Sequence, residues 1–524
     1  MSKRSGWSIL PALMALTSVL LTGCGSGVGS DDGSRVVVGM SDDILATDPA
    51  SGYDPGSWLL FNNVFQSLLG FPNGSAEPEP DAADRCSFTD TRSEVYRCTL
   101  KEGLHFSNGD ALTAQDVKFS FDRLRKIDDP AGPAVMFQSL DRVEVPDDRT
   151  VVFRLNTPDA TFPSKIASGA GSIVDRHEYP ADALRRDHTV VGSGPYTLDS
   201  FDEKQAAFSV NAAYRGTAQA KNDGVTLKFF HGRRGALKDA LTGGSVDVAY
   251  RGLSAQDIAD LDEHGSREDA EVVEGNSAEV QDLVFNMDDP VAGRLGVRRA
   301  IAYLIDRNAL VDRIYKGTAI PLYSIVPAGI VGHNTAFFDR YGGEPSRARA
   351  AAALRADGID DKVSLTLWST PSRYGPATDD ELRAIADQLN ASGLFDARMK
   401  SVAFGRYEKD IAAGKYGVYV KGWLPDYPDP DNFTAPFFGD ENVLGNHFEN
   451  TTITQKLIPR TATVSNRSDT AADFGEIQDI VADRLPMLPI WQAKQYAVIR
   501  HDVDGYVYCL DTSTVFRFWE LYKS

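Results

Sequence analysis

The chain has 524 residues, 42% of them hydrophobic, and a formal net charge of −20 at pH 7. A chain of this length is too long for one hydrophobic core, so we expect two or three lobes. The negative charge argues against nucleic acid as a partner, although acidity alone identifies no cationic ligand.

Residues 1–23 have the pattern of a signal peptide. Lys3 precedes an apolar run over residues 7–21, which is too short for a stable transmembrane span. The run ends in LTGC, which resembles the acylation site of bacterial lipoproteins, so we expect Cys24 to carry a lipid anchor; the alternative is an ordinary signal peptide cleaved elsewhere. Residues 24–34 are rich in glycine and serine and are predicted to be a flexible tether. The remainder is expected outside the cytoplasm, anchored at the outer face of the bacterial cell membrane.

The next segments alternate between strand and helix patterns. A strand is predicted over 34–40, and a helix over 57–71, where apolar side chains recur at helical spacing. A strand and turn over 95–110 lead into a helix over 112–126, for which Thr113 is the predicted N-cap.

From residue 236 onwards the pattern is that of an α/β protein. Helices are predicted over 296–317, 347–358, 378–393 and 475–485. Strands are predicted over 281–287, 363–370, 397–404 and 486–499. Such alternation indicates mixed, mainly parallel sheets flanked by helices.

The cysteines that follow the predicted anchor suggest one disulfide. Cys86 and Cys98 are a local pair that could be joined outside the cytosol, where disulfides persist. Cys509 is predicted to be a buried free thiol. The scattered histidines and the cysteine spacing match no zinc pattern, so neither a metal nor a cofactor is expected.

Five stretches carry a resemblance to a known family: YRCTLKEGLHFSNGDALTAQDVKFSFDRL (96–124), VGSGPYTL (191–198), VFNMDDP with the helical segment to 319 (284–319), GWLPDYPDPDNF (422–433) and LPMLPIWQ (485–492). In this order, they resemble the family 5 extracellular solute-binding proteins, the peptide and oligopeptide receptors of bacterial ABC importers, over residues 35–524. The resemblance implies a two-lobed periplasmic-binding-protein fold of type II with an extra domain.

The resemblance also implies domain bounds and a hinge. Lobe I would comprise residues 35–58, 191–283 and 487–524, the extra domain 59–190 and lobe II 284–486. Two adjacent strands would then connect the lobes and form a two-strand hinge at Phe285, Asn286, Leu488 and Pro489. These strands could also be ordinary core strands.

The stretch over residues 422–433 is the candidate ligand-binding loop. In the family the corresponding loop faces the cleft, and a carboxylate at the position of Asp426 pairs with the α-amino group of a peptide. Trp423 and Tyr427 would cover the ammonium group and exclude water, while the prolines stiffen the loop. Asp429 and Asp431 are predicted to be caps or turn formers. The alternative is a purely structural loop.

Further binding residues follow from the same resemblance. Dipeptide-binding relatives hold the peptide carboxylate with an arginine near this point of the sequence, which implies Arg373; the alternative is a solvated surface arginine. Ser193 and Gly194 could offer N–H groups from lobe I, unless the glycine only serves the turn.

The expected function is that of a monomeric substrate-binding lipoprotein, not an enzyme, which captures peptides and delivers them to a membrane permease and its ATPase subunits. Within the family, an oligosaccharide or a metal chelate is an alternative ligand. Outside it, the alternatives are a glycoside hydrolase that uses Asp426 and Asp429, and a calcium-binding loop.

Overall fold

The computed structural model describes residues 35–264, 269–375, 377–439 and 442–524. The predicted signal peptide, the tether and the predicted lipid anchor Cys24 lie outside the described residues. Within the described ranges, no helix has the length and apolar character needed to cross a membrane.

Strands and helices alternate along the described chain. The strands are β1 Val36–Met40, β2 Leu69–Gly70, β3 Glu79–Pro80, β4 Ala83–Phe88, β5 Val95–Leu100, β6 Leu140–Asp147, β7 Thr150–Leu155, β8 Tyr196–Phe201, β9 Gln205–Val210, β10 Gly224–Phe229, β11 Val248–Tyr250, β12 Ala270–Phe285, β13 Ala319–Pro321, β14 Val363–Ser369, β15 Phe395–Ser401, β16 Val418–Trp423, β17 Met487–Arg500, β18 Val503–Asp504 and β19 Tyr522–Lys523. The α-helices are α1 Pro55–Val64, α2 Ala114–Ile127, α3 Phe162–Ala167, α4 Arg234–Thr242, α5 Ala255–His264, α6 Leu295–Leu304, α7 Arg307–Arg313, α8 Ala336–Tyr341, α9 Arg347–Ala356, α10 Pro371–Tyr374, α11 Ala377–Ala391, α12 Phe404–Ala412, α13 Ala435–Phe438, α14 Ile458–Thr463 and α15 Ala471–Arg484.

One mixed sheet runs through most of the described chain. Its strand order is β15-β14-β16-β12-β17-β11-β1-β10-β9-β8, and β13 pairs with β17. Parallel ladders join β14 to β15 and β16 in one part of the sheet, and β1 to β10 and β11 in the other. Antiparallel ladders of β12 with β16 and β17 connect the two parts. The predicted α/β fold with a mixed sheet flanked by helices is confirmed. The sheet is not mainly parallel as predicted, because the ladders β8–β9, β9–β10, β11–β17, β12–β16, β12–β17 and β13–β17 are antiparallel.

Buried apolar side chains form two large cores. The first core includes Val38 and Phe518, and the second includes Ile301 and Val481. We call the part of the molecule around the first core lobe I, and the part around the second core lobe II. Burial of each large aliphatic side chain stabilises the fold by roughly 1.5–3 kcal/mol, so each lobe has its own source of stability.

Helix α2 shows how the sequence sets a local element. It begins after Thr113, as predicted, because the Asp116 carboxylate accepts hydrogen bonds from the backbone N–H and the hydroxyl of Thr113, at 2.8 and 2.9 Å. The helix then buries Val117, Phe121 and Leu124, which lie on one face at helical spacing.

The predicted extra domain contains an antiparallel four-stranded sheet of order β4-β5-β7-β6. Cys86 and Cys98 lie directly opposite each other in β4 and β5 and form a disulfide. The buried side chains of this sheet, such as Phe153, belong to the first core. Most buried apolar side chains of residues 59–190 are therefore part of the core of lobe I. Cys509 is a buried free thiol, as predicted.

Strands β12 and β17 pass from one lobe to the other as an antiparallel pair. Val273 and Ala497 belong to the first core, whereas Val280 and Trp491 belong to the second. The ladder is irregular between Asn276 and Val280, which is where the pair leaves lobe I.

The crossing lies elsewhere than the sequence predicts. Phe285 and Leu488 are fully buried in the second core, the backbone N–H of Asn286 donates to the Gly417 carbonyl at 2.9 Å, and Pro489 lies within the β12–β17 ladder. These four predicted hinge residues are therefore core positions of lobe II. The prediction failed because both strands are longer than their apolar segments and extend through both lobes.

Candidate functional site

A cavity of about 540 Å³ lies between the two lobes. Its volume falls within the usual range for sites that bind small molecules. Lobe I contributes aromatic and polar side chains, among them Tyr53, Asp54, Trp58, Tyr250, Arg251 and Thr514. Lobe II contributes Asp282, Arg373, Phe404, Glu408, Lys421, Trp423 and Asp426, among others. We call this space the inter-lobe cavity.

The loop that follows β16 is held in place by Asn432. The indole Nε1 of Trp423 donates to the Asn432 Oδ1 at 2.8 Å, and the backbone N–H of Asp426 donates to the same oxygen at 3.2 Å. Asn432 is itself 2% exposed, so its amide is fixed by packing. Sequence reasoning missed this residue, although an asparagine among prolines and aspartates is a common loop-fixing side chain.

Asp426 lies in the wall of the inter-lobe cavity, as predicted. Its carboxylate is hydrogen-bonded by the Tyr53 hydroxyl of lobe I and by the Asn432 amide at 3.5 Å. Burial raises the pKa of this carboxyl above its usual value. Asp426 forms no ion pair with any lysine or arginine of the described chain, although the charge of Lys165 acts on it and partly offsets the effect of burial on its pKa.

The two aromatic residues predicted beside Asp426 have different positions. Trp423 is half-buried, lines the inter-lobe cavity, and packs edge-to-face on Phe437 with ring centroids 5.1 Å apart. Tyr427 points away from the cavity and is buried in the first core, where its hydroxyl donates to the Thr161 hydroxyl at 3.4 Å. The predicted role of Tyr427 as a cover for the ligand is therefore wrong, because its ring is part of a contact between the lobes.

Asp429 has a structural role, as predicted. Its two carboxylate oxygens accept hydrogen bonds from Arg467, both at 2.8 Å, and one also accepts the backbone N–H of Asp431 at 2.8 Å. Burial raises the pKa of the Asp431 carboxyl to about 6. Because Arg467 donates hydrogen bonds to both carboxylate oxygens of Asp429, this carboxylate is not free to act on a substrate. The geometry therefore contradicts the alternative of a hydrolase with Asp426 and Asp429 as its two carboxylates.

Arg373 lies in the wall of the inter-lobe cavity, at the end of the short helix α10. Its guanidinium lies 5.5 Å from the centre of the Phe404 ring. It forms no hydrogen bond or ion pair with the side chains that the structure describes, and the side chain is exposed. The arginine thus faces the cavity with its hydrogen-bond donors unused.

Ser193 and Gly194 lie outside the inter-lobe cavity, which corrects their predicted role. The N–H of Gly194 donates to the Val64 carbonyl at 3.0 Å. A side chain at position 194 would come within 2.5 Å of the Val64 carbonyl carbon, so glycine is needed for this close approach. Ser193 is fully buried beside it. The glycine of this turn therefore serves packing.

Two ion pairs in the cavity wall were missed by sequence reasoning. Arg251 pairs with Asp42 within lobe I, and the Lys421 ammonium lies 3.0 Å from a carboxylate oxygen of Glu408 within lobe II. Such pairs hold long side chains in fixed positions, so they shape the cavity rather than offer free charge. No sequence motif marks them, and Asp42 and Arg251 come from distant segments of the chain.

The described residues contain no group of three or more histidine, cysteine or acidic side chains arranged to hold a metal ion. The calcium alternative for the loop therefore lacks a ligand set within the described chain.

Comparisons with known proteins give a family and a fold. A family model described as "Bacterial extracellular solute-binding proteins, family 5 Middle" matches residues 77–445. The chain is 26% identical over 516 residues to the "Probable D,D-dipeptide-binding periplasmic protein DdpA" of Escherichia coli (strain K12), with 96% of both chains covered. It is 25% identical over 488 residues to the "Dipeptide-binding protein" of the same organism, covering 87% of this chain and 88% of that protein.

Solved structures share the fold. HbpA2 from Haemophilus parasuis superposes with a TM-score of 0.81 at 20% identity, covering 94% of this chain and 100% of that one. The periplasmic binding protein DppA from Helicobacter pylori, in complex with the peptide STSA, gives a TM-score of 0.74 at 21% identity, covering 93% and 98%.

Proposed function

Because this chain belongs to the bacterial extracellular solute-binding proteins of family 5, we propose that it captures short peptides in the inter-lobe cavity for an ABC importer. One observation carries the proposal: an acid, Asp426, and a base, Arg373, line the same cavity, and neither is neutralised by an ion pair within the described chain. A peptide with free ends carries the two opposite charges that these side chains would bind. The names of the dipeptide-binding relatives support this ligand class.

The amino end of the peptide would lie at Asp426. An ammonium ion that leaves water needs an opposite charge and hydrogen-bond acceptors, otherwise its desolvation exceeds the Coulomb attraction. Asp426 supplies the charge, and Trp423 supplies an aromatic surface that excludes water. The bound ammonium would in turn favour the ionised carboxylate, which burial alone disfavours.

The carboxylate end would lie at Arg373. A guanidinium binds a carboxylate through two parallel hydrogen bonds, and the Phe404 ring limits the orientations of the arginine. The peptide backbone between the two ends would contact the polar groups of both lobes, partly through water.

Binding would close the lobes about β12 and β17, since these strands cross between the cores at residues 276–280. In this proposal the protein acts as a monomer, outside the cytoplasm, anchored through Cys24. It passes its ligand to a permease and its ATPase subunits and catalyses no reaction.

The test uses the two charged residues as controls for each other. Isothermal titration calorimetry would measure the Kd of short alanine peptides with free ends, with an acetylated amino end and with an amidated carboxyl end. Asp426→Asn should weaken binding of free-amine peptides by about 2 to 5 kcal/mol and leave acetylated peptides nearly unchanged. Arg373→Gln should affect only peptides that have a free carboxylate.

The possible outcomes distinguish an error in the role of Asp426 from an error in the proposed ligand class. Equal losses for free and acetylated peptides in Asp426→Asn would show that Asp426 does not bind the amine. If the unmodified protein binds no peptide but binds a neutral oligosaccharide or a metal chelate, the proposed ligand class is wrong.

A further inference from the structure

A second acid in the wall of the inter-lobe cavity has no use in the binding scheme above. Asp282 lies on β12, is 2% exposed, and lines the cavity. Its Oδ1 is buried and has no hydrogen-bond partner among the described residues. Such a group is rare, because an unpaired buried polar atom destabilises a protein by roughly 1–3 kcal/mol.

The neighbours of Asp282 explain why it stays without a partner. Lys421 lies directly opposite in the β12–β16 ladder, but its ammonium lies 3.0 Å from each of the two Glu408 oxygens. On the other side, Asp282 is opposite Pro489 of β17, whose side chain has no hydrogen-bond donor. The Arg251 guanidinium is bound to Asp42.

A further buried acid makes the environment of Asp282 more negative. Glu381 is fully buried, and its Oε1 has no hydrogen-bond partner within the described chain. Its Oε2 accepts hydrogen bonds from three side chains: Gln281, Tyr315 and Trp491. Burial, and then the charge of Glu381, raise the pKa of Asp282 well above its usual value. A cation placed at Asp282 would favour the ionised carboxylate, and so oppose the effects of burial and of the Glu381 charge on its pKa.

The charges of the cavity wall point to the kind of cation. Lys421 and Arg251 are each neutralised by an acid, and Asp54 caps helix α1 by accepting the Ser57 N–H at 2.9 Å. Three acids and one base of the wall then have no oppositely charged partner among the described residues, namely Asp54, Asp282, Asp426 and Arg373. The two ends of a peptide would use Asp426 and Arg373, and Asp54 is held as the cap of α1, which leaves Asp282 as the acid of the wall whose Oδ1 has no partner among the described residues.

We propose that Asp282 is a specificity-determining residue that receives the cationic side chain of a lysine or arginine in the bound peptide. This inference rests on the proposed function and narrows it to basic peptides. The ammonium or guanidinium would bind the Asp282 carboxylate where this residue lines the cavity, on strand β12.

The experiment compares peptides that differ only in side-chain charge. Alanine peptides with one lysine, one Nε-acetyl-lysine or one norleucine, placed in turn at each position, would be titrated into the protein by calorimetry. The unmodified protein should bind the best lysine peptide at least about tenfold more tightly than its acetylated and norleucine counterparts. In Asp282→Asn, this preference should fall below about threefold, while the Kd of the norleucine peptide stays unchanged.

Two further variants test whether the preference for lysine depends on Asp282 in particular. Asp426→Asn removes an acid from the same wall and should weaken all free-amine peptides by a similar factor, with the lysine preference retained. Asp282→Leu should reverse the preference towards norleucine. Asp282→Leu should also raise the melting temperature of the ligand-free protein, because it removes an unpaired buried polar group. A cooperative melting transition of both Asp282 variants would show that they fold.

The possible outcomes distinguish this inference from the proposed function. If peptides bind with no preference for lysine, or if Asp282→Asn keeps the preference, the role of Asp282 is wrong and peptide capture stands. If no peptide of any charge binds, the proposed function and this inference both fail.

Discussion

Glu381 shows what a single buried carboxyl does to the stability of this protein. It lies inside lobe II, and burial raises its pKa to about 7 although three side chains hydrogen-bond one of its oxygens. The hydrogen bonds favour the ionised form, but the loss of water around the charge outweighs them.

This shift predicts a pH dependence. Between about pH 4.5 and pH 7 the unfolded chain has released the Glu381 proton while the folded chain keeps it, so stability falls as pH rises and levels off above pH 7. The loss amounts to at most about 3.5 kcal/mol, at ~1.4 kcal/mol per pKa unit. Glu381→Gln should remove it. Urea unfolding at pH 5 and pH 8 would measure the difference between the two proteins, and an equal difference at both pH values would contradict this assignment.

Sequence patterns located the binding loop better than they located its side chains. Asp426, Trp423 and Arg373 line the inter-lobe cavity, as the family resemblance implied. Tyr427 does not, because alternate residues of a proline-rich loop point in different directions that depend on contacts from distant segments. Asp282 escaped notice because an acid within an apolar strand carries no motif.

At the scale of elements, the disulfide joins two neighbouring strands of the four-stranded sheet. Cys86 and Cys98 are 12 residues apart in the sequence and lie opposite each other in the ladder. The cross-link stabilises the fold mainly because it restricts the unfolded chain.

The double variant Cys86→Ala/Cys98→Ala should therefore lower the free energy of unfolding by roughly 3 kcal/mol. Urea unfolding under non-reducing conditions would measure the change. Reduction of the unmodified protein should have the same effect, whereas Cys509→Ala, which removes a buried free thiol, should respond to reductant as the unmodified protein does. A loss below about 1 kcal/mol would show that the disulfide contributes little.

The sequence patterns of the paired strands β12 and β17 leave part of β12 unpredicted. Their apolar ends, near Phe285 and Leu488, were predicted as strands. The stretch around Gly275 and Asn276 is polar and glycine-containing, so its pattern is that of a loop, although pairing with β17 keeps it extended. Tertiary pairing outweighed local propensity here, and the predicted hinge was misplaced as a result.

At the scale of the whole molecule, the two lobes also touch away from the hinge. The Tyr427 ring of lobe II is buried in the first core. Nearby, the Ala160 N–H donates to the Ala462 carbonyl at 2.8 Å, and the Ser93 hydroxyl donates to the Thr463 carbonyl at 2.9 Å. These contacts favour the arrangement of the lobes seen here, and opening of the cleft must break them. Nothing in the sequence brings these distant segments together.

Tyr427→Ala should shift the protein towards an open form. Loss of the buried ring removes about 2 kcal/mol from the contact between the lobes. We expect a larger radius of gyration by small-angle X-ray scattering, and a Kd for peptides raised by up to roughly thirtyfold without any change in the inter-lobe cavity. Tyr508→Ala, a substitution of an exposed tyrosine in lobe I, is the matched control. An unchanged radius and Kd would show that the contact does not hold the lobes.

The way the chain crosses between the lobes also affects the order in which they are completed during synthesis. Lobe II forms from one uninterrupted stretch, whereas the core of lobe I needs both Val38 near its beginning and Phe518 near its end. Since domains fold as units while a chain emerges from its amino end, lobe II can assemble first. Lobe I must wait for the last residues, and its uncovered apolar surface is the part of a nascent chain that a chaperone would protect.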